Sequence, residues 1–271
     1  MFKLATNQEL EYYIIEEFKA TDLVNHAFST RKGGVSEGDF ATLNLGFHTG
    51  DDQERVVENR KLICDELRIN YKEIVAGEQI HSDAIKIVTK ADIGKGALDY
   101  ESSISGTDAL ITAEKGVALT SYYADCVPII ILDPKQEVVA LAHGGWKGTV
   151  KKIGQKTVKK IEKEFNSKPK DILVGIGPSI GPCCYEVDEY VVEPLSNNFD
   201  YWQDLVAKTD EKGKWKLDLW QTNSRQLQDI GVLEENIILS ELCTFCNVDQ
   251  FYSYRKEDGT TGRMASLIQL K

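Results

Sequence analysis

The stretch VALTSYYADCVPIIILDPKQEVVALAH, residues 117–143, decides the reading of the fold. It holds three apolar runs, VALTSYY, VPIIILD and VVALAH, rich in β-branched and aromatic side chains and divided by turn residues that include Asp133-Pro134. Short runs of that composition between turn signals are strands. Pro128 falls near the start of the second run, where a missing N–H is tolerated. Working outward, AIKIVT (84–89) alternates like a strand and DILVGIG (171–177) is another. Helical spacing marks QERVVENRKLICDELR (53–68), with Val56, Val57, Leu62, Ile63 and Leu67 near one face. It also marks TVKKIGQKTVKKIEKEF (149–165), where Val150, Ile153, Thr157, Ile161 and Phe165 form a stripe opposite a solvated lysine face. Residues 219–230 predict a helix stopping at Gly231, and QFYSYRKEDGTTGRMASLIQL predicts two strands around an Asp-Gly turn. Short strands with interspersed helices predict an α+β fold: a single-domain mixed β-sheet or sandwich with flanking helices over residues 1–271.

A content of 42% hydrophobic and 28% charged residues is that of a chain with a substantial core. The net charge of -11 disfavours nucleic acid as a partner and requires a local basic pocket for any anionic substrate. No segment approaches the roughly 20 apolar residues that span a bilayer. The start, MFKLATNQELEYY, lacks a signal peptide's apolar core, so a cytoplasmic protein away from membranes is expected. In that reducing setting the six cysteines are thiols or metal ligands.

Three segments carry candidate chemistry. In ALAHGGWKGT (140–149), His143 ends a strand and Gly144, Gly145 and Gly148 precede a helix whose first turn, with Lys147, suits a phosphate or carboxylate. The plain alternative is a strand-to-helix turn capped by Thr149. In YYADCVPII (122–130), Cys126 lies between two apolar strands beside Asp125 and reads alone as a buried thiol. In AGEQIHSDAI (76–85), His81 stands among polar residues, where surface or cleft would serve equally. Taken together, two imidazoles and one thiolate with an open fourth position suit catalytic Zn²⁺. The same trio also suits a Cys–His nucleophile. Cys183-Cys184 and the Cys243-x-x-Cys246 pair are the two pairs a structural zinc site would use, but vicinal cysteines are poorly placed to chelate, and thiols packed near the core are the expectation.

The motifs EQIHSD, TDALIT, ADCVPIIILDP, AHGGWKGT, GPSIGPCCYEV and YSYRKEDGTTGRMA, with the earlier block FSTRKGGVSEGDFATLNLGFHTGDDQERVVENR, resemble in kind and order those of the YfiH/YlmD family. The resemblance runs from about Phe28 to Ala265 and implies the YfiH-like cysteine hydrolase fold. It implies a metal trio of His81, Cys126 and His143, described with zinc or copper, and polar pocket residues at Asn44 and Arg60. Family labels include laccase, purine nucleoside phosphorylase and peptidoglycan editing factor. The activities implied are phosphorolysis of adenosine, inosine and S-methyl-5'-thioadenosine, and deamination of adenosine. Ser82 stands where glycine is frequent and HGGWKG replaces HAGWRG, departures expected to bear on substrate preference.

A multicopper oxidase needs about ten histidine ligands, imidazole being copper's natural donor. Four histidines, none in a His-x-His pair, cannot build that centre. Deamination follows from a metal that activates water for attack at C6 of adenine, with Asp125 or Glu78 moving protons. Phosphorolysis would draw on Arg60, Lys147 and the glycine turn to hold phosphate. An amidase built on Cys126 and His143, and a metal-dependent binding or regulatory protein, are the other classes in play.

Overall fold

The computed structural model describes all 271 residues and contains three sheets and six α-helices. One six-stranded sheet runs in the order Phe2–Asn7, Leu10–Ile15, Val24–Ser29, Met264–Leu270, Ala118–Tyr123, Ile74–Ala76. The other runs Ile237–Leu239, Leu173–Ile176, Val127–Asp133, Val138–Gly144, Ala109–Thr112, Ile85–Ile87. Both mix parallel and antiparallel pairs. A small third sheet joins Glu186–Asp188, Lys214–Leu217 and Val206–Lys208.

The central stretch is uniformly apolar because both faces of each large sheet are buried. Along Val127–Asp133, side chains alternate between the two faces. Val127, Ile129 and Ile131 join a cluster with Ile153, Val158 and Ile161 of the helix Ile153–Phe165. Ile130 and Leu132 point the other way and pack with Leu119, Ile268 and Leu270 of the first sheet. The first sheet's far face, through Ala118, Tyr122 and Leu267, packs on Ile63, Cys64 and Leu67. The layers are therefore helix, sheet, sheet, helix. Each buried Leu or Ile contributes about 1.5–3 kcal/mol of hydrophobic stabilisation.

The sandwich with flanking helices agrees with the sequence expectation; several local details do not. The helix Gln53–Glu66 buries Val56, Asn59, Arg60, Ile63 and Cys64, so its inner stripe passes through two polar residues, and Val57 and Leu62 lie only half-buried beside it. The expected helix 149–165 is two helices, Trp146–Val150 and Ile153–Phe165. They are separated by Lys152 in the left-handed conformation, with φ 64°, which breaks the helical repeat. Thr149 is not a cap: it lies inside the first helix and its hydroxyl donates to Gly144 O at 3.1 Å. At the C-terminus only Met264–Leu270 is a strand. The Asp258-Gly259 turn has positive φ at both residues, as an Asp-Gly turn requires. Its flanks do not pair, because the Glu257 carboxylate takes the Ser253 N–H and the Thr261 hydroxyl and ties the segment into a compact loop. No helix is long and apolar enough to cross a membrane.

Candidate active site

Three adjacent strand ends bring the chemistry together. Val127 pairs with Gly144 and Pro128 with His143 in the antiparallel ladder, so Cys126 and His143 sit at neighbouring ends. The next strand over, Ala109–Thr112, starts just after Asp108, whose carbonyl accepts the His143 N–H at 2.8 Å. His81 lies on the loop before Ile85–Ile87 with φ 61°, a conformation rare outside glycine. It is held there by the Asp108 carboxylate, which accepts the backbone N–H groups of Ile80, His81 and Ser82 at 3.2, 3.0 and 2.7 Å. The Ser82 hydroxyl adds a bond at 2.7 Å. The Ser82 hydroxyl, which a glycine would lack, therefore serves the carboxylate that organises the trio.

Asp108 also meets His143 Nδ1 at 2.9 Å, leaving Nε2 as that ring's free nitrogen. His81 Nε2 is 3.6 Å from Cys126 Sγ, and the donor atoms of His81, Cys126 and His143 all lie within 4.8 Å of one another. Burial alone would push the Cys126 thiol up, yet the charge and hydrogen bonds of His143 and His81 bring it down to about 6. Burial would lower His143, but the Cys126 thiolate and Asp108 raise it to about 9. Burial likewise opposes ionisation of Asp108, and the His143 and Ser82 donors outweigh it, holding the carboxyl near about 2. One sulfur and two imidazole nitrogens, one of them backed by a carboxylate, form a donor set that fits Zn²⁺.

The trio opens into a cavity of about 480 Å³, within the range of small-molecule sites. Asp125, with φ 82°, turns the chain into Cys126. Its carboxylate accepts the Thr244 hydroxyl at 2.6 Å and the Arg255 N–H at 2.7 Å, while its carbonyl takes the Ile180 N–H. The C-terminal loop that replaces the expected hairpin supplies Tyr254, Arg255 and Arg263 to the cavity wall. Gly145 closes against the trio: a methyl group there would meet His81 Cδ2 at 2.8 Å and Cys126 Sγ at 3.0 Å.

The remaining expected residues are placed differently. Lys147 faces an adjoining cleft of about 200 Å³ that shares His81, Asp125 and Cys126 with the cavity. Asn44 is fully buried behind the wall; its amide donates to Thr49 and Asp51, and its oxygen accepts the N–H of Arg263 at 2.8 Å. Arg60 is buried with its guanidinium between the rings of Phe47 and Tyr122 and its N–H groups on the carbonyls of Leu45, Gly96 and Ala97. Neither lines the trio's cavity; they hold Arg263 and Tyr122, which do. Glu78 binds Ser105 and Gly106 and is absent from that wall. Sequence reasoning missed Asp108, Arg255 and Arg263, although TDALIT and YSYRKEDGTTGRMA contain them.

Residues 25–271 match the family model described as multi-copper polyphenol oxidoreductase laccase. The chain is 39% identical over 274 residues to purine nucleoside phosphorylase YlmD of Bacillus subtilis (strain 168), covering 100% of this chain and 97% of the relative. It is 31% identical over 246 residues to adenosine deaminase RL5 from an unknown prokaryotic organism, covering 90% and 94%. The crystal structure of Bacillus licheniformis hypothetical protein YfiH superposes with a TM-score of 0.94 at 36% identity, over 100% of this chain and 99% of that one.

Proposed function

This chain belongs to the YfiH/YlmD family, and from that premise we propose that it is a zinc-dependent purine nucleoside phosphorylase. Its substrates in this reading are adenosine, inosine and S-methyl-5'-thioadenosine, split by phosphate into free base and ribose 1-phosphate or its methylthio analogue. Deamination of adenosine is a second activity of the same pocket, as the likeness to adenosine deaminase RL5 suggests.

The observation that carries the reading is one cavity with the trio on its wall beside the side chains of Arg255 and Arg263. In a chain of net charge -11 this is the local basic surface that an anionic co-substrate requires. Guanidinium groups match the oxygen pairs of phosphate. Tyr122, Trp146 and Tyr254 give the same cavity aromatic area for a purine. Zinc on His81, Cys126 and His143 would supply a Lewis acid that polarises a substrate oxygen or activates water. Asp125 lies on the wall and Glu78 does not, which favours Asp125 in this reading as the group that moves a proton to or from the base. Asn44 and Arg60, expected to touch substrate, act in this reading by positioning Arg263 and Tyr122.

A laccase's multicopper centre does not fit this chain. Only two of the four histidines meet at the trio; His26 is buried elsewhere with the Ile15 N–H on its Nε2, and His48 is outside the trio. A multicopper centre needs about ten such ligands. Copper at the trio is the alternative single ion, and elemental analysis of the purified protein separates it from zinc.

Zinc-loaded protein incubated with adenosine should release adenine and ribose 1-phosphate only when phosphate is present, and should form inosine without it, all read by chromatography. Absence of both adenine and inosine would overturn the proposal. A second reading, an amidase acting on peptidoglycan precursors, is favoured by one observation. Asp108, His143 and Cys126 form a carboxylate–imidazole–thiol series with the thiol shifted down to about 6. Amino-acid release from a muramyl precursor by zinc-free protein would support that reading, and none would remove it.

A further inference from the structure

Four of the five cysteines outside the active site, all but the buried Cys64, are not dispersed core thiols as the sequence suggested. Cys183 and Cys246 are exposed, Cys184 is half-buried and Cys243 is buried, and all four sulfurs lie within 4.8 Å of one another. We propose that Cys183, Cys184, Cys243 and Cys246 form a second metal site, a closed tetrathiolate for a structural Zn²⁺ ion that clamps the loop carrying Ile180 and Tyr185, on the active-site wall, to the loop whose Thr244 holds Asp125.

The geometry is already that of a ligand set. Cys184 Sγ is 3.3 Å and Cys183 Sγ 3.7 Å from Cys246 Sγ. Four sulfurs around zinc at bonds of about 2.3 Å stand about 3.8 Å apart on the edges of a tetrahedron. Adjacent side chains diverge on a strand, but Cys183 and Cys184 lie in a turn closed by the Cys184 N–H on Gly181 O at 3.0 Å, and both thiols reach the cluster. The Gly181 N–H points at Cys243 Sγ from 3.2 Å, the outer hydrogen bond that a coordinated thiolate accepts. A donor set of four soft sulfurs selects zinc over magnesium or calcium, and four protein ligands leave no open position for catalysis. Binding releases one proton from each thiol to solvent, and the complex carries two net negative charges. The two exposed cysteines give the ion its route in.

The cluster joins segments far apart in sequence that meet again at Asp125. Thr244, between Cys243 and Cys246, donates its hydroxyl to the Asp125 carboxylate, and Ile180, three residues before Cys183, donates its N–H to the Asp125 carbonyl. Tyr185 follows Cys184 directly and lines the cavity. A metal at the cluster would fix this wall without touching substrate.

The test is zinc content of the full chain, purified under reductant, loaded with zinc and freed of loose metal. Two zinc ions are expected per wild-type chain, one in Cys126→Ala and one in the Cys243→Ser/Cys246→Ser double variant. Zinc X-ray absorption on Cys126→Ala, where the cluster is intact even if the double variant does not fold, should show only sulfur at about 2.3 Å. One ion in the wild type and none in Cys126→Ala would overturn the proposal. So would a nitrogen-containing shell around the ion kept by Cys126→Ala, or a Cys184–Cys246 disulfide in the reduced preparation.

Discussion

Replacing Asp108 by Asn keeps shape and volume but removes half of its accepting capacity. One carboxylate oxygen takes His143 Nδ1 and the His81 N–H; the other takes the N–H groups of Ile80 and Ser82 and the Ser82 hydroxyl. Asn offers one oxygen and one NH₂, so whichever way it turns the NH₂ faces at least two donors. Hydrogen bonds to a charged group contribute about 1.5–3 kcal/mol each, and breaking a buried ion pair from one side costs about 3–5 kcal/mol. We therefore expect Asp108→Asn to destabilise the fold by about 3 kcal/mol, which lowers the midpoint of a chain of this size by roughly 6–12 °C. Because Asp108 fixes both histidines, zinc affinity should fall by about 10–100-fold, or about 1.4–2.8 kcal/mol. Calorimetry of the zinc-free protein reads the first quantity and competition against a chelating indicator reads the second. An unchanged melting midpoint with zinc affinity within twofold of wild type would refute the view that this carboxylate assembles the site.

Gly145→Ala should weaken zinc binding, since the atoms nearest the added methyl belong to His81 and Cys126; wild-type affinity would contradict the close approach. Arg255→Ala should raise the KM for phosphate by roughly 10–100-fold, the worth of one charge-assisted bond, with zinc content unchanged. His26 is buried, and burial holds it down to about 4 against an ordinary 6.5, with its Nε2 accepting the Ile15 N–H. Its folded value is depressed, so the unfolded chain takes up the proton first. Stability should be fully present above pH 6.5 and fall by up to about 3 kcal/mol as pH drops toward 4. In His26→Gln that part of the loss should disappear from denaturant titrations across the same pH range, and an identical pH dependence would count against the assignment.

The central strands were legible because their signal is local, unbroken apolar runs between turns, whereas the trio was legible only as a set, since Cys126 and His81 each read blandly alone. The inner stripe of Gln53–Glu66 was not, because Asn59 and Arg60 are buried for their hydrogen bonds to loop backbone, which no hydrophobic pattern reports. The C-terminal segment carries a genuine Asp-Gly turn, but whether the flanks pair is decided by Glu257, a tertiary partner of Arg31, Ser253 and Thr261. Asp108 was missed because nothing in TDALIT marks it, and its role exists only once His81 and His143 are folded around it. The cysteine pairs each chelate poorly alone; their convergence is a property of the Ser179–Cys243 bridge that aligns the two loops.

The central claim, that His81, Cys126 and His143 hold the metal on which purine nucleoside phosphorolysis depends, is tested most directly by phosphate-dependent cleavage of inosine. The rates of wild type and Cys126→Ala are to be compared at equal folded concentration. The account predicts hypoxanthine and ribose 1-phosphate in equal amounts from the wild type, and a rate at least about 100-fold lower from the variant, the loss of about 2.7 kcal/mol of transition-state stabilisation. A Cys126→Ala protein that cleaves inosine at the wild-type rate would contradict it.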